Sequence, residues 1–261
     1  MSFGNVLGDA LGSVHPQLFR KLTSPLPLPF RFKLRWDALP RPSYAWCLYR
    51  AADEAKRLGL KRMSAIEFGV ARGDGLRELE RLARIVEREV GVGIDVYGFD
   101  LATGLPAPRG YKDLPFIWQE GEYRMDRAAL ERDLRRAKLV IGDVRKEVPR
   151  FLKGRIAPIG CCIFDLDLYS STADALRVFD GPAATRLPRV FCFFDDVVGE
   201  RELYNEHTGA LLAIAERNRG RSAKLALVNG MHLVRKIPAR WNMCVYVHHD
   251  VTHPSYTKHL Q

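Results

Sequence analysis

Seven strand-length apolar runs, most of them separated by stretches of helical periodicity, constrain this chain more than any other feature. The runs lie at residues 63–68, 94–99, 139–141, 159–164, 190–194, 224–228 and 243–247. Between them, residues 74–90 carry Leu76, Leu79, Leu82, Val86 and Val90 at helical spacing. Residues 43–58 carry Leu48, Ala51, Ala55 and Leu58 on one face, with Ser43 placed to cap and Gly59 to stop the helix. Helices are also expected over 126–137, from Ser170 or Ser171 to Phe179, and over 207–217. Strands alternating with helices predict an α/β domain: a Rossmann-like, mostly parallel seven-stranded sheet with helices on both faces. In such a sheet ligands bind outside the carboxyl ends of the strands, near the switch in strand order.

Before that domain, residues 1–42 stand apart. "SPLPLPFRFKLRWDALPRP" is too rich in proline for a long helix or a central strand, yet too apolar for a disordered tail. It reads as an arm packed on the domain at 43–261, beside a ligand site. No apolar run is long enough to span a membrane, and the first residues lack the basic start of a secretory leader, so a cytoplasmic protein is expected. Five cysteines without a C-x-x-C pair read as buried free thiols. The net charge of +10 raises the question of nucleic acid. Its arginines, however, interleave with acids on predicted helices, the pattern of a solvated face, which argues against that partner.

The strand ends carry the functional signal. The first run leads into "EFGVARGDG", placing Glu67, Gly69, Gly73 and Gly75 between strand and helix. Glycine allows a tight turn and close approach of a ligand, the next helix offers unpaired N–H groups, and Glu67 suits an ammonium. The spacing matches neither G-x-G-x-x-G nor the phosphate-binding Walker loop. The second run ends at Asp100, where a carboxylate can hold two ribose hydroxyls. The third ends in Gly-Asp, placing Asp143 near an adenine amino group. Each alone admits a purely structural turn. In order, they point to a nucleoside bearing an amino-acid tail.

With "YGFDLATGLP", "IFDLDLYSSTADAL" and "FFDD", the glycine loop resembles the class I S-adenosylmethionine-dependent methyltransferases, and within them the macrocin O-methyltransferase (TylF-like) family. The resemblance spans about residues 64–197. Val197 stands where that family has Tyr, Leu101 and Ala102 where it often has Ser-Phe, and "TRLPR" replaces a glycine pair before the fifth strand. The resemblance implies S-adenosyl-L-methionine as cofactor and Mg²⁺-assisted methylation of a hydroxyl on a small molecule or glycoside. It places the metal on Asp165, Asp195 and Asp196 and the general base at Asp167. The chemistry is coherent: a hard cation with oxygen ligands acidifies a hydroxyl, and a carboxylate takes its proton. Turn capping is the competing reading of the acidic pairs, although Ser170, Ser171 and Thr172 already offer caps. Tyr204, His207 and His232 are placed to reach a substrate, whereas His248, His249, His253 and His259 read as surface or loop residues. The other functional readings are a cofactor-binding scaffold or regulator that has lost catalysis, and a nucleic-acid methyltransferase. Homo-oligomerisation is left open.

Overall fold

The computed structural model describes residues 21–199 and 204–260. Residues 1–20, which contain the start of the arm and the stretch read as lacking a leader, lie outside the described residues. Strands β1 (Arg62–Phe68), β2 (Gly93–Asp100), β3 (Lys138–Ile141), β4 (Ile159–Phe164), β5 (Arg186–Phe194), β6 (Lys224–Leu227) and β7 (Val245–His249) form one sheet in the order β3-β2-β1-β4-β5-β7-β6. The first five run parallel, and β7 is antiparallel to both neighbours. β4 is buried end to end and β1 from Met63 onward, as central strands covered on both faces must be. The chain leaves β1 toward β3, then returns to the other side of β1 as β4. The crevice for a ligand therefore opens above β1 and β4.

The helices are α1 (Phe30–Arg35), α2 (Pro42–Arg57), α3 (Asp74–Val90), α4 (Arg127–Asp133), α5 (Val144–Leu152), α6 (Tyr169–Ala175), α7 (Gly209–Asn218) and α8 (Met231–Val234). α2 packs on α3, β4 and β5, while α6 packs against α5 and α7. α2 starts at Pro42, whose missing N–H costs nothing at a helix start; Ser43 supplies no side-chain cap. α6 likewise has no cap from Ser170 or Ser171. Instead Asp113, from the loop after β2, accepts the Ser170 N–H at 2.7 Å and its hydroxyl at 2.8 Å. α5, which the periodicity does not predict, is capped by Asp143, whose carboxylate accepts the Arg145 N–H at 2.9 Å. β5 begins earlier than the apolar run suggests, at Arg186. Its Pro188 is tolerated because the β4–β5 register slips between Ile159↔Arg186 and Cys161↔Phe191.

A row of phenylalanines crosses the carboxyl ends of four strands. Phe68 pairs in register with Phe99 and Phe164, and Phe164 with Phe194. Ring centroids are 5.0 Å (Phe68–Phe99), 5.1 Å (Phe68–Phe164) and 4.5 Å (Phe164–Phe194) apart. These rings form an apolar floor directly beneath the acidic strand ends. The arm is anchored as well: Trp36 packs with Ile237, and the buried Asp37 accepts the Trp241 Nε1–H at 3.0 Å and pairs with Arg235. All five cysteines are free and buried. No described helix is long and apolar enough to cross a membrane.

His248 corrects the expectation of surface histidines. It lies in β7, is 1% exposed and stacks on Phe179 with centroids 4.0 Å apart. Neither ring nitrogen has a hydrogen-bond partner, and burial pushes its pKa down to about 3. The unfolded chain thus binds the proton more readily. Stability linked to this group is complete above the unfolded value near 6.5 and falls as pH drops toward 3, by up to about 1.4 kcal/mol per pH unit. His248→Leu is expected to flatten the acid side of the stability profile relative to wild type. Denaturant unfolding across that range checks it; parallel profiles for the two proteins would refute it.

Candidate functional site

One cavity of about 660 Å³ opens at the carboxyl ends of the parallel strands. Its walls include Glu67, Gly69, Gly75, Asp100, Asp143, Asp165, Asp167, Asp195 and Asp196. The acidic tips of five strands therefore face a shared space. Gly73 is not part of the wall. The glycines serve the protein's own packing more than a ligand. A Cβ on Gly69 would lie 1.8 Å from the Asp165 carbonyl oxygen, on Gly73 2.3 Å from Leu130, and on Gly75 1.9 Å from Glu67 Oε1.

Glu67 is 1% exposed. The Tyr44 hydroxyl donates to its Oε1 at 2.8 Å, while Oε2 is buried with no partner. Burial pushes its pKa up to about 8, against the lowering effect of the Tyr44 hydrogen bond. An unmatched buried carboxylate oxygen in a cavity wall is a receptor for a cation or a hydrogen-bond donor. Asp100 is heavily engaged: Oδ2 accepts the N–H groups of Val70 (2.8 Å) and Ala71 (2.9 Å), and Oδ1 that of Ala102 (2.6 Å). It ties the glycine loop to the loop after β2. Oδ2 is filled by its two donors, while Oδ1 retains an acceptor site for a hydroxyl. Asp143 combines its place in the wall with capping α5.

The β4 and β5 ends place four carboxylates over the phenylalanine floor. Burial, reinforced by Asp195, raises Asp165 to about 6. Burial, reinforced by Asp165, raises Asp167 to about 7. Asp196 is raised well above the usual carboxylate range by burial and then by Asp167, and its Oδ2 is buried without a partner. Asp195, adjacent in sequence, turns outward with its side chain 44% exposed, and Arg240 donates to its carbonyl at 2.6 Å. Neighbouring residues leaving a strand diverge, so the four do not close on one point. Among the described residues, no three His, Cys, Asp or Glu side chains are grouped so as to hold a metal ion. That departs from the expected convergence of Asp165, Asp195 and Asp196.

Several wall residues are illegible in the sequence. Arg41 enters from the arm and donates to the Tyr44 hydroxyl at 3.2 Å. Arg240 arrives from the connection into β7, and Trp118 and Tyr123 come from the loop after β2. No local spacing marks the two arginines. Of the three residues expected to reach a substrate, Tyr204 lines the cavity; His207 and His232 do not.

No protein-family model matches the chain, and no curated protein matches it. Among solved structures it is similar to the crystal structure of CalS11, calicheamicin methyltransferase. The TM-score is 0.54 and the identity 23%, over 90% of this chain and 90% of that one. An apo structure of CalS11, described as a TDP-rhamnose 3'-O-methyltransferase of calicheamicin biosynthesis, gives a TM-score of 0.47 and 22% identity over 90% and 92% of the two chains. The chain thus has the seven-stranded, Rossmann-like α/β fold of the methyltransferases.

Proposed function

We propose that the protein is an S-adenosyl-L-methionine-dependent O-methyltransferase acting on a hydroxyl of a small molecule or glycoside. The observation that carries this reading is the joining of two kinds of acid in one cavity. Glu67, Asp100 and Asp143 suit the amino-acid, ribose and adenine parts of the cofactor. Asp165, Asp167, Asp195 and Asp196 suit the acceptor. The fold shared with a methyltransferase supports it. In this reading the unmatched Glu67 Oε2 takes the cofactor's ammonium and Asp100 Oδ1 a ribose hydroxyl.

Asp167 is the general base. Its burial makes it a stronger proton acceptor than an exposed carboxylate, and a base with a pKa near the working pH is the most effective. With S-adenosyl-L-methionine bound, the methyl group would pass from sulfur to the acceptor oxygen, the carbon–sulfur electron pair staying on sulfur, and Asp167 would take the hydroxyl proton. The products are the methyl ether and S-adenosylhomocysteine. Alignment in the cavity is the main contribution expected of the protein.

Divalent-metal assistance is a separable part of the proposal, because as they stand Asp165, Asp195 and Asp196 are not grouped to hold a cation and the proton transfer assigned to Asp167 does not depend on one. Asp165, Asp195 and Asp196 offer only oxygen donors, and the orphaned Asp196 Oδ2 is the kind of group a cation satisfies. Mg²⁺, when bound, would acidify the acceptor hydroxyl. Calorimetric titration with S-adenosylhomocysteine, with and without Mg²⁺, tests the reading. Wild type is expected to bind the nucleoside. Asp167→Asn is expected to retain that binding and lose about 10²–10⁴-fold in methyl transfer. A wild-type protein that ignores S-adenosylhomocysteine would end the proposal.

A further inference from the structure

A second cavity of about 610 Å³ lies beside the first and shares three wall residues with it: Arg41, Asp195 and Arg240. Its other walls are mostly apolar, with Pro40, Pro42, Phe193, Ile237, Pro238 and Trp241 prominent. The charges of the two spaces differ. The first is lined by an excess of carboxylates, whereas Asp195 is the one carboxylate in the second, against two guanidinium groups. Those guanidinium groups have capacity left. Arg41 donates to Tyr44 Oη at 3.2 Å and lies over its ring, and Arg240 donates to the Asp195 carbonyl at 2.6 Å and stands 4.0 Å from its carboxylate, which leaves most of their N–H groups without a hydrogen bond among the described residues. Each arginine has five N–H donors, arranged as a fork that matches an oxyanion.

We infer that the second cavity holds the distal part of the methyl acceptor, and that this part carries an oxyanion bound by Arg41 and Arg240. Its apolar body lies along the prolines and Trp241, while its hydroxyl reaches past Asp195 to the first cavity. The assignment of an acceptor rests on the methyltransferase reading. The presence of an oxyanion site between the arginines does not. The acceptor class is thus a hydroxylated compound with a phosphate or carboxylate group remote from the hydroxyl that is methylated.

The test is calorimetric titration of the full chain with pyrophosphate and, separately, succinate at constant ionic strength. Wild type is expected to bind at least one of them, and the tighter one identifies the anion class. Arg240→Gln is expected to weaken that binding by about tenfold or more, and Arg240→Lys, which keeps the charge but loses the fork, by less. Arg155→Gln, at an exposed position outside both cavities, reports non-specific attraction to a basic protein. Thermal unfolding of each variant checks that it is folded. Absence of binding to wild type, or equal binding by wild type and Arg240→Gln, would overturn the inference. S-adenosylhomocysteine titrated into wild type separates the two ideas. Its failure removes the methyltransferase reading and leaves the oxyanion result standing.

Discussion

Replacing Gly69 with alanine is expected to cost at least about 4 kcal/mol and to lower the melting temperature by roughly 10 °C or more. Two effects combine. The residue has φ +84°, a region that costs an L-residue about 1–2 kcal/mol. The added methyl would also stand 1.8 Å from the Asp165 carbonyl oxygen and 2.8 Å from its carbon, both backbone atoms at the end of β4. A side chain can swing aside; this backbone cannot, because the Asp165 N–H is bonded to the Phe68 carbonyl at 2.9 Å. Gly59 separates the two contributions. It has φ +80° and nothing within 4 Å of an added Cβ. Gly59→Ala should therefore show the conformational cost alone. Thermal and denaturant unfolding of both variants measures the difference, and equal losses would show that β1 and β4 are not wedged together at this point.

Asp100→Ala carries the second large effect. It removes the acceptor for three backbone N–H groups, those of Val70, Ala71 and Ala102. Hydrogen bonds to a charged acceptor contribute about 1.5–3 kcal/mol each, and water entering the cavity recovers part of the loss. A net loss of about 2–4 kcal/mol is expected, with a melting temperature lower by roughly 5–15 °C. S-adenosylhomocysteine affinity should fall by about 100-fold or more, since the loop that would meet the nucleoside loses its brace along with the ribose acceptor. Asp100→Asn retains one acceptor oxygen and should lie between. Unchanged affinity in the alanine variant would place the nucleoside elsewhere.

The architecture was legible because the core helices and strands obey simple periods. The α3 apolar stripe at Leu76, Leu79, Leu82 and Val86 is buried, and every predicted strand exists. Misplaced details share one cause, partners distant in sequence. Ser170 does not cap α6, because Asp113, 57 positions earlier, supplies that acceptor from a loop. His248 appears polar in the sequence, yet its strand runs between β5 and β6, where both faces are covered. In the site, the acids were visible because each closes an apolar run. A phenylalanine next to the acid in "GFD", "IFD" and "FFDD" was an equally local signal, and it marks the row of rings beneath the strand ends. Arg41 and Arg240 had no such mark. They are brought to the cavity only by the arm and the connection into β7.

The clasp of Asp37 by Arg235 and Trp241 joins residues 198 and 204 positions apart. At a synthesis rate of about 5–20 residues per second, this early segment waits roughly 10–40 s on the ribosome before its partners exist. Until then Trp36 has no Ile237 to cover it. Closure of this clasp thus follows synthesis of Trp241, and Arg41, a few residues beyond Asp37, acquires its final surroundings no earlier than that.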